Sequence, residues 1–128
     1  MQIIEANHKT MTNLLKKSVK KSWKDDNLDA WFQFTDGSAV CIHVVETSQN
    51  AYVTVDNPDN NSAVSFHDEQ SIAGYEDTKG KLRTYTDRTL SIHFDKARYY
   101  YHRNFDYATR QYIPVVEFHY YEKGETWQ

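Results

Sequence analysis

The sequence has little of what covalent frameworks and backbone cradles are made from. Four glycines and two prolines in 128 residues leave scant backbone for a phosphate loop, and no Gly-x-Gly-x-x-Gly or Gly-Lys-Ser/Thr run occurs. The single cysteine, Cys41, cannot form an internal disulfide and excludes four-Cys and paired Cys/His zinc spacings, which suits a reducing compartment. No stretch approaches the roughly 18 apolar residues of a membrane span, and Met1-Gln2-Ile3-Ile4-Glu5 is not a basic leader ahead of an apolar run. A cytoplasmic protein with no membrane partner is therefore expected. Neither sign of charge dominates: 15 basic against 18 acidic residues give −3, too balanced for a histone-like binder or an end-to-end polyanionic mimic. Aromatic residues are abundant, at 15% within a hydrophobic total of 39%, so Tyr, Phe and Trp must supply both the core and any adhesive surface.

The length fits one domain, residues 1–128. From about 10 to 24 the pattern is helical: Met11, Leu14, Leu15, Ser18, Val19, Ser22 and Trp23 share one half of a 100° wheel, and Lys16, Lys17, Lys20, Lys21 and Lys24 the other. Thr10 or Thr12 is the expected N-cap, and Asp25-Asp26-Asn27 closes the segment. From about 30 the period becomes two. Asp36-Gly37 between Trp31–Thr35 and Ser38–Val45 predicts a two-residue hairpin that sets Phe34 opposite Ala39, Phe32 opposite Cys41 and Trp31 opposite Ile42. Ala51–Val55 continues as a strand. Residues 56–80 read as a long acidic loop with only Ala63–Phe66 strand-like, and further strands are expected at Lys81–Thr86, Leu90–Asp95, Arg98–Arg103 and Tyr112–Tyr121. Pro114 puts the last at a sheet edge or starts it near that proline. The fold class is α+β: one N-terminal amphipathic helix packed on an antiparallel sheet of five to seven strands, with a helix-plugged, partly closed β-barrel as the alternative.

Charge is segregated. Residues 1–24 sum to +5, 25–80 to −10 and 81–128 to +2. The lysine face could track phosphates or simply keep a helix soluble, and the acidic middle could dock on a basic protein surface or merely be a solvated loop.

Each candidate for chemistry has a bland competitor. Cys41 and His43 share a strand face, but Val40 and Ile42 make Cys41 a core residue rather than a thiolate. His93-x-Asp95 and Glu117-x-His119 would form a metal or acid/base cluster only if their strands were neighbours; such spacing also arises by chance on any polar sheet face. His8-x-Thr10 supplies one half of a paired His-x-Thr/Ser phosphoesterase signature, and no other histidine supplies the second. The sequence points away from an enzyme, and no metal or cofactor is expected.

The densest signal is Arg98-Tyr99-Tyr100-Tyr101-His102-Arg103, a mixture enriched in interface hot spots and in base-stacking surfaces. In overall make-up the chain resembles the small accessory proteins of bacteriophages and mobile elements. The expectation is a non-enzymatic protein-binding module, an inhibitor of a host nucleic-acid-handling defence enzyme such as a CRISPR-Cas effector, acting in the bacterial cytoplasm. Arg98, Tyr99, Tyr100, Tyr101 and Arg103 would be anchors, and Asp59, Asp68, Glu69, Glu76 and Asp77 would steer. The alternative is a single-stranded nucleic-acid binder in which Lys16, Lys17, Lys20 and Lys21 hold phosphates while Tyr99 to Tyr101 stack bases. Either a monomer or a strand-paired homodimer fits.

Overall fold

The computed structural model describes residues 1–45, 51–58, 63–107 and 116–126; of residues 72, 73, 75, 84–86 and 104–107 it describes the backbone. Its elements are β1 (Gln2–Ile4), α1 (His8–Leu15), β2 (Val19–Lys24), β3 (Ala30–Phe34), β4 (Ala39–Val44), β5 (Ala51–Asp56), β6 (Ser65–Glu76), β7 (Leu82–His93), β8 (Arg98–Tyr107) and β9 (Val116–Tyr121). They form two antiparallel sheets, one of five strands in the order β1-β9-β4-β3-β2 and one of four in the order β5-β8-β7-β6. The chain is thus mostly antiparallel β with one short helix. Nine described strands in two sheets replace the expected five to seven in one sheet or barrel.

The sheets share an aromatic core. Phe32 of β3 stacks 4.7 Å from Phe94 and meets the Tyr99 ring edge-on at 6.3 Å, while Phe34 lies 5.8 Å from Phe94. Val40, Ile42, Val44 and Phe118 from the first sheet face Leu90, Ile92 and Tyr101 from the second, and α1 adds Met11 and Leu14 to the same cluster.

The helix is half as long as its wheel implies. Asn7, not Thr10 or Thr12, is the N-cap: its Oδ1 accepts from the Thr10 amide at 3.0 Å while Thr10 Oγ1 accepts from the Asn7 amide at 3.1 Å. At the other end the Asp95 carboxylate, carried on the turn between β7 and β8, accepts from Ser18 Oγ at 2.7 Å and from the Val19 amide at 3.0 Å, turning the chain into β2. The wheel misled because β2 carries a bulge between Val19 and Lys21. With an extra residue inserted, Val19 and Ser22 both point inward at a spacing of three, which imitates a helix.

The first hairpin has its turn where expected but not its register. Phe32 pairs with Val40 and Trp31 with Cys41, one residue off the two-residue expectation. The loop holds three residues: the Gly37 amide donates to Phe34 O at 3.1 Å, the Phe34 amide to Ser38 O at 2.9 Å, and Gly37 takes φ +91°, the type I turn plus glycine bulge. The β2–β3 turn repeats the pattern with Leu28 at φ 66° in the glycine position. The acidic segment is also corrected. Residues 65–76 are a strand paired with β7 along its whole length, from Ser65↔His93 to Glu76↔Leu82. Residues 67–71 carry no apolar side chain, which gives the segment the look of a loop, and the ladder with β7 holds it in place. Finally, β9 (Val116–Tyr121) is not an edge strand but lies between β1 and β4, while Pro114 lies outside the described residues.

Candidate functional site

The face of the five-stranded sheet turned away from the core is not the polar skin of an ordinary sandwich. Cross-strand pairing lines up Trp23, Trp31, Cys41, His119 and Ile3 in one row across all five strands. A second row is acidic and imidazole-bearing: Glu117 pairs with His43, whose Nδ1 lies 2.7 Å from Asp29 Oδ1. A third runs Lys21, Gln33, Ala39, Tyr121.

The rings touch one another. Trp23 and Trp31 stack with centroids 6.1 Å apart and planes within 10°, Tyr121 leans on Trp31 at 5.8 Å, and Lys21 Nζ sits 5.2 Å from the Trp23 centroid. His43 and His119 lie 5.4 Å apart, and Glu117 Oε1 stands 3.9 Å from His119 Nε2, too far for a hydrogen bond. Trp23, Trp31, His43, His119 and Tyr121 are all half-buried, so each shows part of its ring to solvent. Cys41 between them is 2% exposed, and its burial beside Asp29 and Asp25 pushes the thiol up to about 12. Burial thus favours the protonated thiol over the thiolate at this position.

The residues singled out from sequence are dispersed. Tyr99 and Tyr101 are each 0% exposed and belong to the core, so they display no ring to a partner. Arg103 is buried with them. Arg98 and Tyr100 share the outer face of the four-stranded sheet, where Arg98 pairs with Asp56 and Tyr100 lies 6.2 Å from His102. Glu69 is on that outer face too, in register with Thr89 and so with His102. Asp68 makes a bidentate pair with Arg88 at 3.0 and 2.7 Å. Glu76 ends β6 and is exposed; Asp77 opens the β6–β7 turn, its carboxylate accepting from the Lys79 and Lys81 amides and from Arg83 Nε. Asp59 lies outside the described residues.

The lysine helix face does not exist. Lys16 caps α1, Lys20 and Lys21 are on β2, and Lys17 pairs with Asp36 between the Phe34 and Tyr120 rings at 5.8 and 5.7 Å. Burial opposes the Lys17 charge, but hydrogen bonding to Asp36 and Tyr120 outweighs it and raises the ammonium; the same lysine, with Ser38, holds Asp36 down at about 2. Nor do His93, Asp95, Glu117 and His119 assemble: His93 is on β7 of one sheet, Glu117 and His119 are on β9 of the other, and Asp95 is engaged at the helix exit. Among the described residues no group of three or more His, Cys, Asp and Glu is arranged to hold a metal ion, and no helix is long and apolar enough to cross a membrane.

Comparison with known proteins finds no matching family model, no matching curated protein and no matching solved structure.

The sequence names Trp23, Trp31, Tyr121 and His119 separately, and what it does not show is that they meet on one sheet face. In the two-residue hairpin register Trp31 lies on the face opposite Cys41, so joining the row required the three-residue loop, the β2 bulge and the β4–β9 pairing.

Proposed function

We propose that this protein is a non-enzymatic binding module that docks on another protein through the outer face of its five-stranded sheet. The observation that carries this reading is the half-exposed Trp23–Trp31–Tyr121 stack with a row of carboxylates, Asp29 and Glu117, beside it. Large rigid rings lose little entropy on docking and dominate hot spots, and neighbouring carboxylates select a basic partner. The partner of choice is a protein whose own surface binds nucleic acid, since such surfaces offer the arginines and lysines that rings and carboxylates hold together. An inhibitor of a defence enzyme of the CRISPR-Cas class, made by a phage or mobile element, is the form of this activity that the chain's make-up suits. The burial of Cys41, 2% exposed in the sheet, supports a binding role over nucleophilic chemistry.

The test is inhibition. Purified protein is titrated into cleavage reactions of a panel of nucleic-acid-processing defence effectors, beside a Trp23→Ser/Trp31→Ser variant and a bare single-stranded oligonucleotide. Near-stoichiometric inhibition by the wild type, relieved at least tenfold by the double substitution, supports the reading. Equal inhibition by both proteins sinks the face as the contact. Tight, salt-steep binding of the oligonucleotide alone replaces the reading with the nucleic-acid one.

A further inference from the structure

We propose that two copies of this chain pair antiparallel through β6, extending the four-stranded sheet across a twofold axis. Three of the four sheet edges carry a device against strand addition. β1 is three residues long, and β2 is bulged. β2 and β5 also meet each other, through Lys24 Nζ on Val53 O at 3.0 Å and Ser22 on Asn57. β6 has none of these: it runs twelve residues without proline, pairs on one side with β7, and among the described residues has no strand on the other. His67 to Ser71, Gly74 and Glu76 are all exposed along it.

Charge selects a second copy and a narrow register. In an antiparallel ladder, facing residues are both hydrogen-bonded to each other or both not, and these states alternate along a strand. A strand pairing with itself must therefore set a residue opposite its own copy. With the axis at Gln70, Glu69 faces Ser71 and Asp68 faces Ile72; with the axis at Ser71, Glu69 faces Ala73 and Asp68 faces Gly74. Neither opposes like charges. One step further on either side fails: an axis at Glu69 sets that carboxylate against itself, and an axis at Ile72 sets Asp68 against Glu76. The acidic residues of β6 thus permit only the two central registers among those that pair nine or more of its twelve residues, and both are isologous.

Ser71 tests this, because both registers use it and its side chain is exposed. Ser71→Glu opposes the new carboxylate to Glu69 in one register and to its own copy in the other. Ser71→Lys opposes an ammonium to Glu69 in the first and to its own copy in the second. The dimer dissociation constant is measured by sedimentation equilibrium, with far-UV circular dichroism confirming each fold. A dimeric wild type, weakened about tenfold or more by Ser71→Glu, is the expected result, and Ser71→Lys then separates the registers, sparing the dimer with the axis at Gln70 and weakening it with the axis at Ser71. A monomeric wild type at 100 µM, a figure of roughly the scale for weak assemblies, overturns the proposal, as does a dimer that Ser71→Glu leaves unchanged. The outcome is independent of the Trp23–Trp31 face, which lies on the other sheet.

Discussion

Asp95 joins the helix exit to the opposite sheet, and removing it should cost more than its place in a surface turn suggests. Its two oxygens accept from Ser18 Oγ at 2.7 Å and the Val19 amide at 3.0 Å, and Val19 is only 4% exposed, so Asp95→Ala strands a buried amide. A charge-assisted hydrogen bond is worth roughly 1.5–3 kcal/mol, and an unsatisfied buried donor costs about 1–3 kcal/mol. Because the same loss is counted in both figures, the expected destabilisation is about 2–3 kcal/mol. Asp95→Asn keeps one acceptor for Val19 and can donate to Ser18, so it should lose only about 1 kcal/mol. Urea unfolding followed by tryptophan fluorescence reads both; at a slope near ~2 kcal/mol/M the Asp95→Ala midpoint falls about 1 M or slightly more.

The pH dependence supplies a second, independent arm. Burial opposes ionisation of Asp95, but the bonds from Ser18 and Val19, with Lys96 nearby, outweigh it and hold the carboxyl below its ordinary value of 3.8. A depressed folded-state pKa contributes stability that is full above the unfolded value and fades as pH falls through the folded one. The gap between wild type and Asp95→Asn should therefore be widest above about pH 4 and close as the pH drops below it. An Asp95→Ala protein within about 0.5 kcal/mol of wild type at pH 7, or a gap that widens on acidification, would refute the argument.

Tyr99→Phe should leave stability unchanged or raise it by up to about 1 kcal/mol in the same unfolding assay, because the buried Tyr99 hydroxyl finds no hydrogen-bond partner among the described residues. A loss above about 1 kcal/mol would show that the hydroxyl is satisfied. Gly37→Ala should lower the thermal midpoint by several degrees, a cost of about 1 kcal/mol or more: the residue sits at φ +91°, and its new Cβ would press on Lys123 Cγ at 3.0 Å. Cys41, buried and pushed up to about 12, should resist iodoacetamide at pH 8 in the folded protein and react fully once unfolded, as read by intact mass. Rapid labelling of native protein would mean that the outer face opens.

What the sequence made legible was local. Asp36-Gly37 marks a reversal because glycine there takes a conformation other residues avoid, Ala30 to Phe34 alternate because one face is buried, and Ala39 to Val44 read as an apolar run because that interior strand is buried on nearly every side. The register was not legible, since whether a loop holds two or three residues depends on hydrogen bonds that Asp-Gly allows in either form. β6 was hidden for a different reason: with no apolar stripe, nothing in residues 67–71 distinguishes a paired strand from a solvated loop. The tyrosine run was visible as a surface or a core, and alternation alone split it, Tyr99 and Tyr101 inward and Tyr100 outward; which side faced the second sheet was a tertiary matter. The Trp23–His119 row was the least accessible, because it spans strands far apart in the chain.

The strand order has a consequence for biosynthesis. β2, β3 and β4 can zip together as soon as they leave the ribosome, but β1, although made first, has no neighbour until β9 arrives to sit between it and β4. Until then one edge of β4 has no partner for its backbone N–H and C=O groups. Folding of that layer must wait for nearly the whole chain, which favours slow acquisition of the native state and gives holdase chaperones a window in which to act.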